Sequence, residues 1–142
     1  MAVLVLDTAT ETLAVAVGDN HALLGSAAYR VARGHSVLLQ PVVAEVMAHA
    51  GIKMDALQTI AVGIGPGSYT GVRIGVSTAK AMASVLGVDL VTVPTLFTLA
   101  EAAAPTPAPA SADGSSVVLA MLYARRQRAF GAVYQRVMGR WE

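Results

Sequence analysis

Cysteine is absent from this chain of 142 residues, which removes disulfides, thiolate metal sites and cysteine nucleophiles together. Charge is also scarce. Charged residues make up 13% against 55% hydrophobic, so an average helix has too few charges to cover a fully solvated face, which points to surface buried against a partner. The net charge of +1 gives no overall attraction to nucleic acid. No stretch offers the ~18 apolar residues, free of charges and turn formers, that a membrane-spanning helix needs. The N-terminus starts at once with the strand-like AVLVLD, without the basic region and cleavage site of a signal peptide. These absences predict a cytoplasmic protein that makes no membrane contact. The length gives room for one domain with a real core and the beginning of a second.

What is present centres on Ala61 to Lys80, AVGIGPGSYTGVRIGVSTAK, where a buried strand meets a helix through a glycine-rich turn. Pro66 and Gly67 fit the middle of a type II turn, and Gly65, Ser68 and Thr70 complete it, with Ser68 or Thr70 as the helix cap. Phosphate loops are the first functional class to test, because exposed N–H groups at a helix start attract anions. The lettering does not support one. A Walker A loop needs Gly-Lys-Ser/Thr, and no lysine follows a glycine before Lys80. The dinucleotide fingerprint lacks its third glycine, which would fall at Ser68 or Thr70. A nucleophile elbow around Ser68 fails because Pro66 and Thr70 stand where glycines belong. Past the turn, Gly71, Gly75, Ala79 and Ala83 recur every four residues and form one smooth stripe on a helix. Such a stripe serves close packing on the protein's own sheet or a seam for another helix.

Along the chain, Val3 to Leu6, Leu13 to Val17 and Ala22 to Tyr29 read as three antiparallel strands. A helix over Ser36 to Ala50 ends at Gly51, a C-terminal glycine cap. Leu39, Val43, Val46, Met47 and Ala50 share its core-facing arc, yet the other arcs are also apolar, which predicts burial on more than one side. Pro41 is expected to kink the first turn or to mark the helix start. Strand Thr59 to Ile64, helix Thr70 to Leu86, strand Leu90 to Val93 and a short helix near Thr95 to Ala104 follow. This order predicts an α/β fold, a mixed sheet flanked by helices in the ribonuclease H-like arrangement. The N-terminal lobe is expected over 1–104, a Pro/Ala/Ser linker over 105–116, and a hairpin over 117–142 as the start of a second lobe. Two strands cannot fold alone, so the hairpin is expected to belong to a curtailed second lobe or to dock on the first domain or on another copy.

Candidate chemistry is thin. Asp7, Thr8 and Thr10 end the first strand and offer a carboxylate and two hydroxyls, the makings of a nucleotide loop or of a hairpin held by side-chain caps. His35 and His49 lie about 21 Å apart along one helix, too far to share a metal ion. His21 has no ligand at suitable spacing, so no metal site is expected. Five of the ten basic residues, Arg125, Arg126, Arg128, Arg136 and Arg140, fall in the last eighteen positions with Glu142 as the only acid. A solvated strand face accounts for them, with RNA contact as the alternative.

Three segments, LDTATETLAVAV, HSVLLQPVVAEVM and VGIGPGSYTGVRIGVSTAKAMA, resemble the TsaB-like (YeaZ-like) family over about Val3 to Tyr134. The resemblance implies an actin-like or sugar-kinase-like ATPase (ASKHA) lobe that has lost its own catalysis. It implies a noncatalytic scaffold for tRNA threonylcarbamoyladenosine synthesis that binds TsaD and, with it, TsaE, and reaches tRNA indirectly. It implies contact through the two helices flanking the glycine turn, at Val37, Leu38, Pro41, Val42, Glu45, Gly71, Arg73, Gly75, Thr78, Ala79 and Met82, with a homodimer through the same helices. Asp7, Thr8 and Thr10 would then be a vestigial nucleotide loop. No cofactor of its own is expected, with ATP or ADP at the complex interface. The alternative is a stand-alone phosphotransferase or peptidase-like enzyme using Asp7 and the glycine turn. Where relatives often read Asp-Ala-Arg followed by Gly-Glu, this sequence has Tyr123-Ala124-Arg125 and Gln127-Arg128, without either acid. Relatives also continue through a complete second lobe.

Overall fold

Alternating large apolar residues shape the first strands. In β1 (Ala2–Asp7) and β2 (Thr12–Gly18), Leu4, Leu6, Leu13, Val15 and Val17 are buried, and the residues between them are more exposed. The structure is a computed structural model and describes residues 1–32, 34–103, 115–137 and 140–141. β3 (Leu23–Arg30) completes an antiparallel meander. β4 (Leu57–Gly63) and β5 (Asp89–Val93) extend the other edge in parallel, giving the order β3-β2-β1-β4-β5. This is the mixed sheet that the element order predicts.

Register explains why one face becomes the core. Leu4 lies opposite Val17 and Ile60, and Leu6 opposite Val15 and Val62, so these side chains share a face. Helix α1 (His35–His49) adds Leu39, Val42, Val43, Val46 and Met47, and helix α2 (Tyr69–Leu86) adds Ala79 and Ala83 to the same cluster. Both helices therefore cover one face. The other face carries Val3, Val5 and Asp7 of β1, with Ala14, Ala16 and Ala61 in register beside them and Val91 next to Ala61 on β5.

Pro41 sits inside α1 and does not mark its start, which removes one of the two readings open for it in the sequence. Val37, whose carbonyl would have received the missing N–H, lies on the same exposed arc as Pro41, so the bond is lost on the solvent side. The end of α1 follows the glycine signal. Gly51 takes φ +67, its N–H bonds Ala48 O at 3.1 Å, and Ile52 N bonds Met47 O at 3.0 Å, which closes a Schellman motif.

The chain divides into two compact units, Met1–Val93 and Pro94–Glu142. In the second, strands β6 (Ser115–Ala124), β7 (Arg128–Val137) and β8 (Arg140–Trp141) form an antiparallel sheet on which α3 (Thr95–Ala103) packs. This corrects the expected boundaries. The short helix belongs with the hairpin and not with the first lobe, because Leu96 and Ala100 bury against Ala120. The expected linker loses Ser115 and Ser116 to β6, and residues 105–114 of it lie outside the described residues. β8 has no counterpart in the sequence reading. Phe97, Tyr134 and Trp141 pack edge to face with centroids 5.6 to 6.2 Å apart, and the Trp141 indole N–H donates to Glu101.

Candidate functional site

The glycine turn and the DTAT segment are packed into each other, and the glycines are what makes this possible. A Cβ on Gly63 would stand 2.1 Å from the Asp7 carboxylate, and one on Gly67 or Gly71 would stand 2.1 Å from Ala9 O or Thr8 O. One on Gly75 would meet Thr8 Oγ1 at 2.5 Å. Real Cβ atoms do not approach this closely: at Gly67 and Gly71 the obstacle is backbone, so Ala9 and Thr8 require glycine there, while at Gly63 and Gly75 the Asp7 or Thr8 side chain would have to shift. Sequence reasoning missed this pairing. The signal lay in the spacing, since glycines at 63, 67, 71 and 75 recur every four residues through the turn.

The helix start is similarly engaged. Ser68 caps α2 by accepting from Gly71 N at 3.2 Å, so Ser68 and not Thr70 is the cap, while Ser68 N donates to Ala9 O at 2.7 Å. The bend also differs from the type II turn expected at Pro66 and Gly67. Positive φ falls on Gly65, at +85°, and not on Gly67, and the Gly65–Pro66 peptide is cis.

Asp7, Thr8 and Thr10 do not converge. Asp7 continues the alternation of Val3 and Val5 onto the face away from the helices, where its Oδ1 accepts from Ala9 N at 2.8 Å. Thr8 is fully buried on the helix side and donates its hydroxyl to Gly71 O at 2.7 Å. Thr10 Oγ1 accepts from Thr12 N at 3.0 Å. The three side chains hold a hairpin and a helix start, and their geometry forms no common phosphate cradle. Among the described residues no group of three or more His, Asp or Glu could hold a metal ion.

The predicted partner residues separate into two sets. Val42, Gly71, Gly75 and Ala79 are buried within the unit's own fold, which corrects their assignment to an outer surface. Of the two readings open for the small-residue stripe, packing on its own sheet is the one observed. The second set is accessible. Val37 is 73% and Leu38 39% exposed, Pro41, Glu45 and Arg73 are exposed, and Thr78 and Met82 are half-buried. Glu45 is within 3.3 Å of the Tyr29 hydroxyl, which donates to it, and the Arg73 guanidinium stacks over Tyr69 at 5.3 Å. Between these helices lies an open groove of about 420 Å³ lined by Ser36, Thr70, Arg73, Ile74, Ser77 and Thr78. At its α1 end, His35 Nε2 is enclosed and has no hydrogen-bond partner among the described residues.

Comparison with known proteins places this geometry. Residues 27–140 match the family model described as TsaD: tRNA N6-adenosine threonylcarbamoyltransferase. The tRNA threonylcarbamoyladenosine biosynthesis protein TsaB of Escherichia coli (strain K12) is 33% identical over 137 residues, covering 96% of this chain and 56% of that protein. Its namesake in Bacillus subtilis (strain 168) is 36% identical over 100 residues, covering 70% and 44%. The solved structure of YeaZ from Pseudomonas aeruginosa superposes with a TM-score of 0.87 at 31% identity, covering 99% of this chain and 63% of that one. The chain thus spans about half the length of the curated relatives it matches. Its five-stranded mixed sheet is the ribonuclease H-like lobe that the element order predicts and the actin-like lobe that the family resemblance implies. On these matches the chain belongs to the TsaB (YeaZ) family, within the wider group that the TsaD model describes.

Proposed function

We propose that this chain serves tRNA threonylcarbamoyladenosine biosynthesis as a noncatalytic scaffold that binds TsaD and, through that complex, TsaE. The observation that carries the reading is the outer arc of α1. Val37, Leu38 and Pro41 face solvent on a helix whose opposite arc is already in the core, so apolar surface remains after the unit has folded. Arg73 and the groove beside it continue that surface onto α2. Binding would be the contribution, with tRNA and any ATP or ADP held by the assembled complex. Support for this comes from the names of the relatives and from the side chains of Asp7, Thr8 and Thr10, which are engaged locally and form no cradle.

A complete interface of this kind buries roughly 1,200 to 2,000 Å². Substituting Val37→Glu places a carboxylate on a position that is already exposed, so thermal stability should stay within about 0.5 kcal/mol. Co-purification with TsaD should fall at least tenfold. Undiminished capture of TsaD by that variant would overturn the assignment of α1 to the interface.

A further inference from the structure

Helix α2 carries cations and no anion. Its charged residues, Arg73 and Lys80, are both exposed and stand seven positions apart, which puts them about 10 Å from each other on one side of the helix. On α1 the one acid is Glu45, and the Tyr29 hydroxyl already donates to it at 3.3 Å. The groove between the helices concentrates this imbalance. Arg73 lines it together with the hydroxyls of Ser36, Thr70, Ser77 and Thr78, and among the described residues no acid lines it. None of these five side chains has a hydrogen-bond partner among the described residues. Stacking over the Tyr69 ring steadies the guanidinium and leaves its N–H groups available.

We infer that this groove receives a carboxylate from a helix of the partner, an Asp or Glu side chain bound by Arg73 and the surrounding hydroxyls. The inference rests on the scaffold reading above and names the group that α2 recognises. Chemistry selects the group. A carboxylate accepts two parallel N–H bonds from a guanidinium and keeps lone pairs for hydroxyl donors, and its single charge matches the single cation lining the groove. The rest of α2 selects what carries it. Arg73, Ser77, Ala81 and Val85 form one exposed ridge at four-residue spacing, the kind of ridge on which another helix packs. Along this ridge the character changes from cationic through small to apolar, ending at Val85, which is 85% exposed beside a second hollow of about 310 Å³ that Met82 and Leu86 also line. Arg73 and Val85 are twelve residues, about 18 Å, apart. A ligand that meets both ends has an acid at one end and an apolar side chain about three turns away, which describes an amphipathic helix and not a small anion.

Binding of the full chain to TsaD, measured over a range of salt concentrations, tests the inference. Arg73→Met should weaken binding about 30-fold and flatten its dependence on salt. Arg73→Lys keeps the charge without the planar fork and should recover part of the loss. Because Arg73 is exposed, both variants should melt as wild type does. Replacing the aspartates and glutamates of TsaD by their amides, one at a time, should find one whose loss adds nothing to that of Arg73→Met, the mark of a direct pair. Undiminished binding by Arg73→Met beside a loss with Val37→Glu would overturn the carboxylate groove and leave the scaffold reading standing. Undiminished binding by both variants would remove that reading and this inference with it. An Arg73→Met loss that adds in full to every TsaD substitution would also overturn the inference, because the groove would then hold an anion other than a side chain of TsaD.

Discussion

The first unit lays two helices of 15 and 18 residues on a five-stranded sheet, whereas the second lays one helix of nine residues on three strands. The open faces differ as well. Behind the first sheet small residues such as Ala14 and Ala16 alternate with Val3, Val5 and Val91, while the second exposes Val117, Leu119, Met121 and Tyr123 in one run. The larger buried cluster lies in the first unit, so that is where the molecule is firm, whereas the described residues of the second unit bury Leu96, Ala100 and Ala120 as hydrophobic core.

The sharpest way to break the comparison is to damage the firm unit at its tightest point. In Gly71→Val the added Cβ would stand 2.1 Å from Thr8 O, a backbone atom that cannot swing aside as a side chain does. The expected loss is about 3 kcal/mol, a fall in the melting midpoint of roughly 12 °C or more. A circular dichroism melt measures it. The same packing explains why a charge at Gly75, which would otherwise look like a clean interface probe, should act on folding first. A Gly71→Val protein melting within 2 °C of wild type would mean that the DTAT segment is not seated on α2 as described.

Element order was legible in the sequence because each signal was local. Strand runs, the Gly51 cap and the four-residue stripe could all be read within one turn or one strand of their own position. Direction was not. Whether Gly71, Gly75 and Ala79 faced inward or outward depends on Thr8, which is 63 residues from Gly71, and no periodicity carries that information. Asp7 and Thr8 looked like one site for the same reason, since adjacency in sequence hides that consecutive strand residues point to opposite faces. The exposed members of the expected contact set, Val37, Leu38, Pro41, Glu45 and Arg73, were named in the sequence only as part of a list that also held buried positions. The placement of α3 was missed because its apolar residues suit either unit, and contact with Ala120 decides between them.

A middle-sized effect sharpens the comparison from the other side. Leu96→Ala removes one of the three buried hydrophobic residues among the described residues of the second unit and should cost it about 2 to 3 kcal/mol. That is a large share of what so thin a core supplies. Trp141, the only tryptophan, lies in this unit and reports it selectively, so its emission should shift to the red. Hydrogen exchange should quicken in β6 and β7 while β1 and β4 keep their protection. Equal loss of protection in all four strands would show that the two units fold as one.

The smallest effect sets one hairpin turn against another. Between β2 and β3, the Asp19 carboxylate accepts the N–H groups of His21 at 2.8 Å and Ala22 at 2.9 Å, and these bonds hold its pKa below the ordinary value. The β6–β7 turn places Arg126 and Gln127 at φ +65° and +58°. Because the folded Asp19 pKa is depressed, its contribution is complete above the unfolded value of about 3.9 and is lost as pH falls through the folded one. Asp19→Asn keeps a side-chain acceptor without the charge. It should therefore remove that part of the acid dependence in the first unit while leaving stability at pH 7 only slightly lower. Carboxyl-detected NMR titration gives the direct reading: Asp19 should titrate below a freely solvated aspartate, and a midpoint at or above about 3.9 would show that the turn is not clasped by its side chain.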